Sequence, residues 1–166
     1  MRRSFIEVNA EFQKALMVME DTSRHVFITG KAGTGKSTLL EYFRQNTRKE
    51  VAVLAPTGVA ALNVQGQTIH SFFGFKPSIT PEKVRKISGP DAKIYKEFDT
   101  IIIDEISMVR ADLLDCVEKF MRLNGPYRKQ WFGGVQMIFV GDLYQLPPVV
   151  AASEREIFSH RYESPY

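Results

Sequence analysis

The chain alternates short apolar runs with longer segments whose apolar residues recur every three to four positions. Uninterrupted, β-rich apolar runs occupy His25 to Thr29, Val51 to Ala55, Thr100 to Asp104 and Gln136 to Val140. Runs of that length bounded by turn residues predict strands buried on both faces. Helical periodicity predicts helices over Glu11 to Met19, from the glycine-rich segment after Thr29 to about Asn46, and over Ala111 to about Leu123. In the last of these, Leu113, Cys116, Val117, Phe120 and Met121 share one face, which places the cysteine in a core. TGVAALN predicts a short helix, and FGGV at 132–135 a flexible entry to the last strand. Residues 76–98 contain Pro77, Pro81 and Pro90 and read as a loop with one short helix around Glu82 to Ile87. Strands and helices alternating at these lengths predict right-handed crossovers and a mainly parallel sheet in an α/β fold.

Three of the strand ends carry polar groups. After the first, GKAGTGKST fills the pattern G-x-x-x-x-G-K-S/T with Gly30, Gly35, Lys36 and Ser37, between a strand and a helix where a P-loop belongs. Glycines let the backbone turn tightly and aim N–H groups at phosphate oxygens, and the following helix adds the positive end of its dipole. Gly30, Ala32, Gly33, Thr34, Gly35, Lys36, Ser37 and Thr38 are therefore the candidate triphosphate cradle. Lys36 would hold the β- and γ-phosphates and Ser37 would ligate Mg²⁺. At the second strand end, Asp104 is a candidate Mg²⁺ ligand and Glu105 a candidate base for the attacking water. The competing reading is an acidic pair opening the next helix. Beyond the third, Gln145 is a candidate γ-phosphate sensor, or a loop amide capping local backbone. Ligands of open α/β sheets lie beyond the carboxyl ends of the strands, so these groups can converge on one nucleotide.

Composition narrows the picture only slightly. A chain of 166 residues with 44% hydrophobic residues can bury one core, so residues 1–166 are expected to form a single domain. A net charge of +3 and a pI near 9.0 permit nucleic acid without requiring it. One cysteine excludes an internal disulfide, and three scattered histidines have no zinc spacing. With neither the apolar core of a signal peptide nor a membrane-length apolar run, no membrane is expected, and the default compartment is the cytoplasm, or the nucleus or mitochondrion in a eukaryote. GTPase signatures D-x-x-G and N-K-x-D do not occur, and kinases lack the strand-end Asp-Glu pair. A ring-forming AAA+ ATPase would need its own sensor-arginine segment. A non-catalytic DNA-binding or scaffold module is the alternative from another class.

The ordered set GKAGTGKS, APTGVAALN, TIHSFFG, IIIDEISMV and VGDLYQLPPV, spanning nearly the whole chain from about Gln13, resembles the first motor domain of PIF-type (PIF/RecD-like, superfamily 1B) DNA helicases. The resemblance implies a RecA-like three-layer sandwich that binds and hydrolyses ATP with Mg²⁺ and moves 5′ to 3′ along single-stranded DNA in repair, recombination or replication. Gln13, seventeen residues before Gly30, would read adenine through N6 and N7, or is an ordinary polar position at a helix start. Residues 55 to 75 would carry the single-stranded DNA surface, with Thr57, Gly58, His70 and Phe72 as contacts; the pair Phe72 and Phe73 can equally be core. The resemblance also implies a second RecA-like domain that supplies an arginine finger to a monomeric motor. HRYESPY reads as a domain boundary, so weak turnover by this piece alone is expected.

Overall fold

The computed structural model describes residues 9–31, 33–145, 147–150 and 158–162. Among them are five strands, β1 (Val26–Thr29), β2 (Val51–Ala55), β3 (Gln67–Thr68), β4 (Thr100–Ile103) and β5 (Gln136–Gly141). They form one sheet in the order β1-β5-β4-β2-β3, and every pairing is parallel. The helices are α1 (Ala10–Asp21), α2 (Lys36–Asn46), α3 (Gly58–Asn63), α4 (Ile69–Phe73), α5 (Asp91–Ile94) and α6 (Ala111–Asn124).

Strand alternation builds the three layers. Val53, Ile102, Ile138 and Val140 point to one face, where they meet Met19 of α1 and Leu39, Leu40 and Phe43 of α2. Ala52, Leu54, Ile101, Ile103 and Met137 point to the other, against Ile69 and Phe73 of α4 and Cys116, Val117, Phe120 and Met121 of α6. Both faces are covered, which is why these strands read as continuous apolar runs rather than alternating ones. On the α6 side Phe73 stacks on Phe75 at 5.3 Å and meets the edge of Phe120 at 5.2 Å, while Tyr95 meets Phe120 at 4.8 Å.

A partly buried polar knot ties the layers at the amino ends of the strands. Lys49 Nζ donates to the carbonyls of Met19 and Thr22 at 2.5 and 2.7 Å and to Gln136 Oε1 at 2.9 Å. Thr100 Oγ1 donates to the same Gln136 oxygen at 2.9 Å, and Gln136 Nε2 donates to the carbonyl of Arg24 at 2.9 Å. The network fixes the end of α1 against β4 and β5 in a place where unpaired polar groups would be costly.

Several expectations change in detail. The helix expected around Glu82 to Ile87 is instead one 3₁₀ turn, Pro81–Lys83. Beyond it, Asn124 of α6 accepts the Ile87 N–H at 2.8 Å and donates to the Arg85 carbonyl at 3.3 Å, so those groups bond to a side chain instead of to a helix. A helical turn lies later, at α5. The chain expected to be flexible at 132–135 makes a tight kinked turn, Trp131–Gly134, with Phe132 and Gly133 in the left-handed region. Here a Cβ on Gly133 would sit 2.3 Å from the Met121 carbonyl, so only glycine lets this turn close onto α6. The edge strand β3 was not expected. Two residues are too few to give a periodic signal.

Cys116 is fully buried, and burial, followed by the charges of Asp112 and Asp115, pushes its thiol up to about 12. Its ordinary value is 9.0, so between these pH values the unfolded chain ionises the thiol and the folded chain does not. Stability contributed by the neutral thiol is therefore present below that window and is lost as pH rises through it. A thiol-specific reagent at about pH 9 is expected to label Cys116 only as fast as the protein opens, with rates that climb with denaturant. Fast labelling without denaturant would contradict this burial.

Candidate nucleotide and DNA site

The register of the sheet brings the candidate site together. β1 and β5 end side by side at Thr29 and Gly141, while β4 pairs Ile103 with Phe139 of β5 and with Leu54 of β2. The residues that follow these ends, Gly30, Asp142 and Asp104, therefore emerge at the same carboxyl edge. Asp104 is held there by its own N–H, which donates to the Leu54 carbonyl at 2.9 Å.

The loop from β1 to α2 depends on its glycines. Gly33 and Gly35 have φ of 79° and 89°, in the left-handed region, and Gly35 caps α2 so that Lys36 and Ser37 form its first turn. A Cβ on Gly30 would lie 2.7 Å from Thr34 Oγ1, so a side chain there would displace Thr34. Thr34 Oγ1 donates to the Lys31 carbonyl at 2.9 Å, which closes the loop on itself. Lys36 turns back over the loop, and its Nζ donates to the carbonyls of Gly30 at 2.5 Å and Lys31 at 3.0 Å. Ser37 and Thr38 are exposed at the start of α2. Ala32 lies outside the described residues.

Ser37, Asp104 and Glu105 line one cavity of about 400 Å³. Its remaining wall is α2, with Leu40, Glu41, Arg44 and Gln45, Val53 of β2, and α3 with the turn after it, from Ala60 and Asn63 to Val64 and Gln65. Burial raises the Asp104 carboxyl above its ordinary value, while the Glu105 N–H and the Lys36 charge draw it back. Glu105 is raised by burial and then by Asp104, again opposed by Lys36. Its φ of 53° is left-handed in a non-glycine residue. Such a conformation costs on the order of 1–3 kcal/mol and persists only where the surroundings enforce it. The helix-opening alternative for this acidic pair does not fit, because Glu105 precedes only a single 3₁₀ turn, Ile106–Met108.

Other candidates fall outside this cavity lining. Gln145 is exposed, with Nε2 at 3.5 Å from Asp142 Oδ2 and its N–H donating to the Asp142 carbonyl at 3.0 Å. Asp142 is itself buried, and Oδ1 accepts the Tyr144 N–H at 3.1 Å, so it shapes the turn that presents Gln145. Gln13 is exposed on the first turn of α1. Asn9 caps that turn, its Oδ1 accepting the Phe12 N–H at 2.8 Å.

On the expected DNA surface, Thr57 caps α3, its Oγ1 accepting the Ala60 N–H at 3.2 Å, and Gly58 beside it is exposed. His70 is half-buried on α4 and lines a second cavity of about 460 Å³ with Arg110, Phe158 and Arg161. Phe72, also on α4, is partly buried. Its ring packs edge-on against Phe73 at 4.9 Å and Tyr95 at 5.5 Å and tilts against Phe98 at 5.5 Å. Tyr95 also donates its hydroxyl to the Phe72 carbonyl at 2.7 Å. Phe73 is buried in the aromatic core, and the partly buried Phe72 ring packs against it. The residues that sequence reasoning missed are Glu41, Arg44 and Gln45. Their spacing of three and four residues on α2 marked one polar face, but nothing indicated that this face borders a cavity.

Comparison with known proteins bears on the whole chain. The family model described as PIF1-like helicase matches residues 7–164. The ATP-dependent DNA helicase PIF1 of Emericella nidulans is 40% identical over 155 residues, covering 85% of this chain and 20% of that protein. The rat protein of the same name is 36% identical over 159 residues, covering 93% of this chain and 25% of its own. The crystal structure of Pif1 helicase from Bacteroides in complex with ADP-AlF3 and single-stranded DNA matches with a TM-score of 0.88 and 41% identity, over 98% of this chain and 38% of that one. Pif1 helicase from Candida albicans matches with a TM-score of 0.72 and 37% identity, over 92% and 35%. These structures have the RecA-like fold, and this chain shares it. It spans about a fifth of the Emericella protein's length.

The raised Asp104 carboxyl yields a stability prediction. A carboxyl raised by folding costs nothing below its ordinary value of 3.8, and the cost grows as pH rises above it. In buffer lacking nucleotide and divalent cation, Asp104→Asn is expected to melt above the parent protein at neutral pH. The difference should shrink toward zero as pH falls toward 3.8, read by scanning calorimetry. A variant that melts lower at neutral pH would contradict the desolvation argument.

Proposed function

This chain belongs to the PIF1-like helicase family, and we propose on that premise that it is the ATP-hydrolysing first motor unit of an ATP-dependent DNA helicase. The observation that carries the reading is the meeting of Ser37, Asp104 and Glu105 in one cavity at the start of the helix that opens with Lys36. The Lys36 ammonium would exchange the Gly30 and Lys31 carbonyls for β- and γ-phosphate oxygens, while loop N–H groups from Gly30 to Thr38 surround the phosphates. Ser37 and Asp104 offer a hydroxyl and a carboxylate, the hard oxygen donors that suit Mg²⁺. The ion would balance phosphate charge, and with it the cost of the half-buried Asp104.

Glu105 is the base. Its raised carboxyl is a better proton acceptor than an exposed glutamate, and its enforced backbone fixes where it points. Gln145, on the turn held by Asp142, would sense the γ-phosphate, and Gln13 would read adenine. Single-stranded DNA would cross the carboxyl edge at Thr57, Gly58 and His70, with 5′ to 3′ movement. A second RecA-like domain would supply an arginine finger, and the working unit would be a monomer. Among the described residues no helix is long and apolar enough to cross a membrane.

In the full-length protein, Glu105→Gln is expected to keep nucleotide affinity and lose about 10²–10⁴-fold of its DNA-stimulated ATPase rate, measured in steady state. An unchanged rate would remove Glu105 as the base. His70→Ala is expected to weaken binding of a labelled single-stranded oligonucleotide with little change in melting temperature, whereas Phe72→Ala is expected to lower stability by about 3–5 kcal/mol. The reverse pattern would place Phe72 on the DNA surface and His70 off it.

A further inference from the structure

We infer that Arg44 couples the nucleotide site to the DNA-contacting turn at Thr57 and Gly58. The inference rests on the function proposed above and assigns a role to a residue outside its motifs. α2 begins at the nucleotide with Lys36 and Ser37 and runs to Asn46. Arg44 lies on its last turns, about 10 Å along the helix from Ser37 at 1.5 Å per residue. From there Nη1 donates to the Val64 carbonyl at 2.5 Å and Nη2 approaches the Gln65 carbonyl at 3.5 Å. Among the described residues these are the hydrogen bonds that join α2 to the end of α3.

The far end of this link is stiff. α3 is six residues long and closes with the Gln65 N–H on the Leu62 carbonyl at 3.1 Å and the Gly66 N–H on the Ala61 carbonyl at 2.8 Å, a Schellman ending. The ending forces Gln65 to a φ of 50° where glycine is usual. A Cβ on Gly66 would lie 2.3 Å from the Val53 carbonyl, so the turn lies directly on β2. The Val64 and Gln65 carbonyls are helix-end acceptors, and Arg44 satisfies them with charge. A helix this short moves as one piece. A shift at its Arg44-held end therefore reaches Thr57 at the other, where the side chain caps the first turn.

The cavity makes that shift possible. Val64 packs on the apolar side chains of α2, while above that contact α2 and α3 face each other across a cavity whose polar lining is Ser37, Asp104, Glu105, Arg44 and Gln65. When the first turn of α2 adjusts to a γ-phosphate, Arg44 carries the motion to α3. Arg44 is thus a positioning residue that acts through the Val64 and Gln65 carbonyls.

The test uses the full-length protein and a labelled oligo-dT strand. DNA affinity is measured with and without a non-hydrolysable ATP analogue, and the steady-state ATPase with and without DNA. Arg44→Ala is expected to still bind nucleotide and to retain measurable DNA-free ATPase. Its DNA-stimulated kcat is expected to fall about tenfold, and the analogue should cease to change DNA affinity, which is the coupling free energy itself. A variant that keeps the parent's analogue effect overturns the inference. So does one that loses nucleotide affinity and DNA-free rate together with its melting temperature, since that is a structural role. Arg44→Lys keeps one charged bond and loses the fork, so it should fall between the two. If Arg44→Ala does not fold, a parent-like analogue effect in Arg44→Lys overturns the inference instead. If the parent protein shows no DNA stimulation, the helicase reading fails, and the inference with it.

Discussion

The register of the parallel sheet is the constraint on which the rest of this structure depends. Because β1, β5, β4 and β2 run in one direction and pair in fixed register, the residues after Thr29, Gly141 and Ile103 emerge at one edge. A slip of one residue in β4 would exchange Ile102 and Ile103 between the two apolar layers and carry Asp104 away from Ser37. Fifteen buried residues on one face and eight on the other oppose such a slip, so the site is positioned by cores that contain none of its chemistry.

Within that frame, the site is held in an unfavourable state. Two carboxyls raised by burial sit side by side, Glu105 has a left-handed backbone, and the Lys36 charge opposes both shifts. This arrangement suits a site built for a cation and a polyphosphate, which would relieve the carboxylates and engage the lysine. Stability for this strain comes from elsewhere, including the polar knot of Lys49, Gln136 and Thr100 at the opposite ends of the strands.

The aromatic cluster shows where sequence reading reached its limit. Phe72 and Phe73 are adjacent in a motif beside His70, and in one dimension they are equivalent to either a stacking platform or a core. The decision depended on Tyr95, Phe98 and Phe120, which lie 22 to 48 residues away in the chain and whose arrival no local pattern announces. The stretch after Pro81 shows the same limit. A helix was locally plausible over Glu82 to Ile87, but Asn124 from α6 claimed the backbone groups that such a helix would have used.

The sequence by itself determined four of the five described strands, the long helices, the glycine loop and the acidic pair, because each depends on local sterics or on periodicity that neighbours in the chain supply. Gly33 and Gly35 were legible because positive φ needs glycine, and β4 was legible because a strand buried on both faces must be apolar throughout. Tertiary structure alone decided how the aromatic rings pack, that the partly buried Lys49 is bound by Gln136 and two carbonyls of the α1 end, and that α2 meets the end of α3 through Arg44. Those outcomes depend on side chains far apart in the chain reaching one another, and on the energetic requirement that buried polar groups find partners, which fixes their company only once the fold has brought them together.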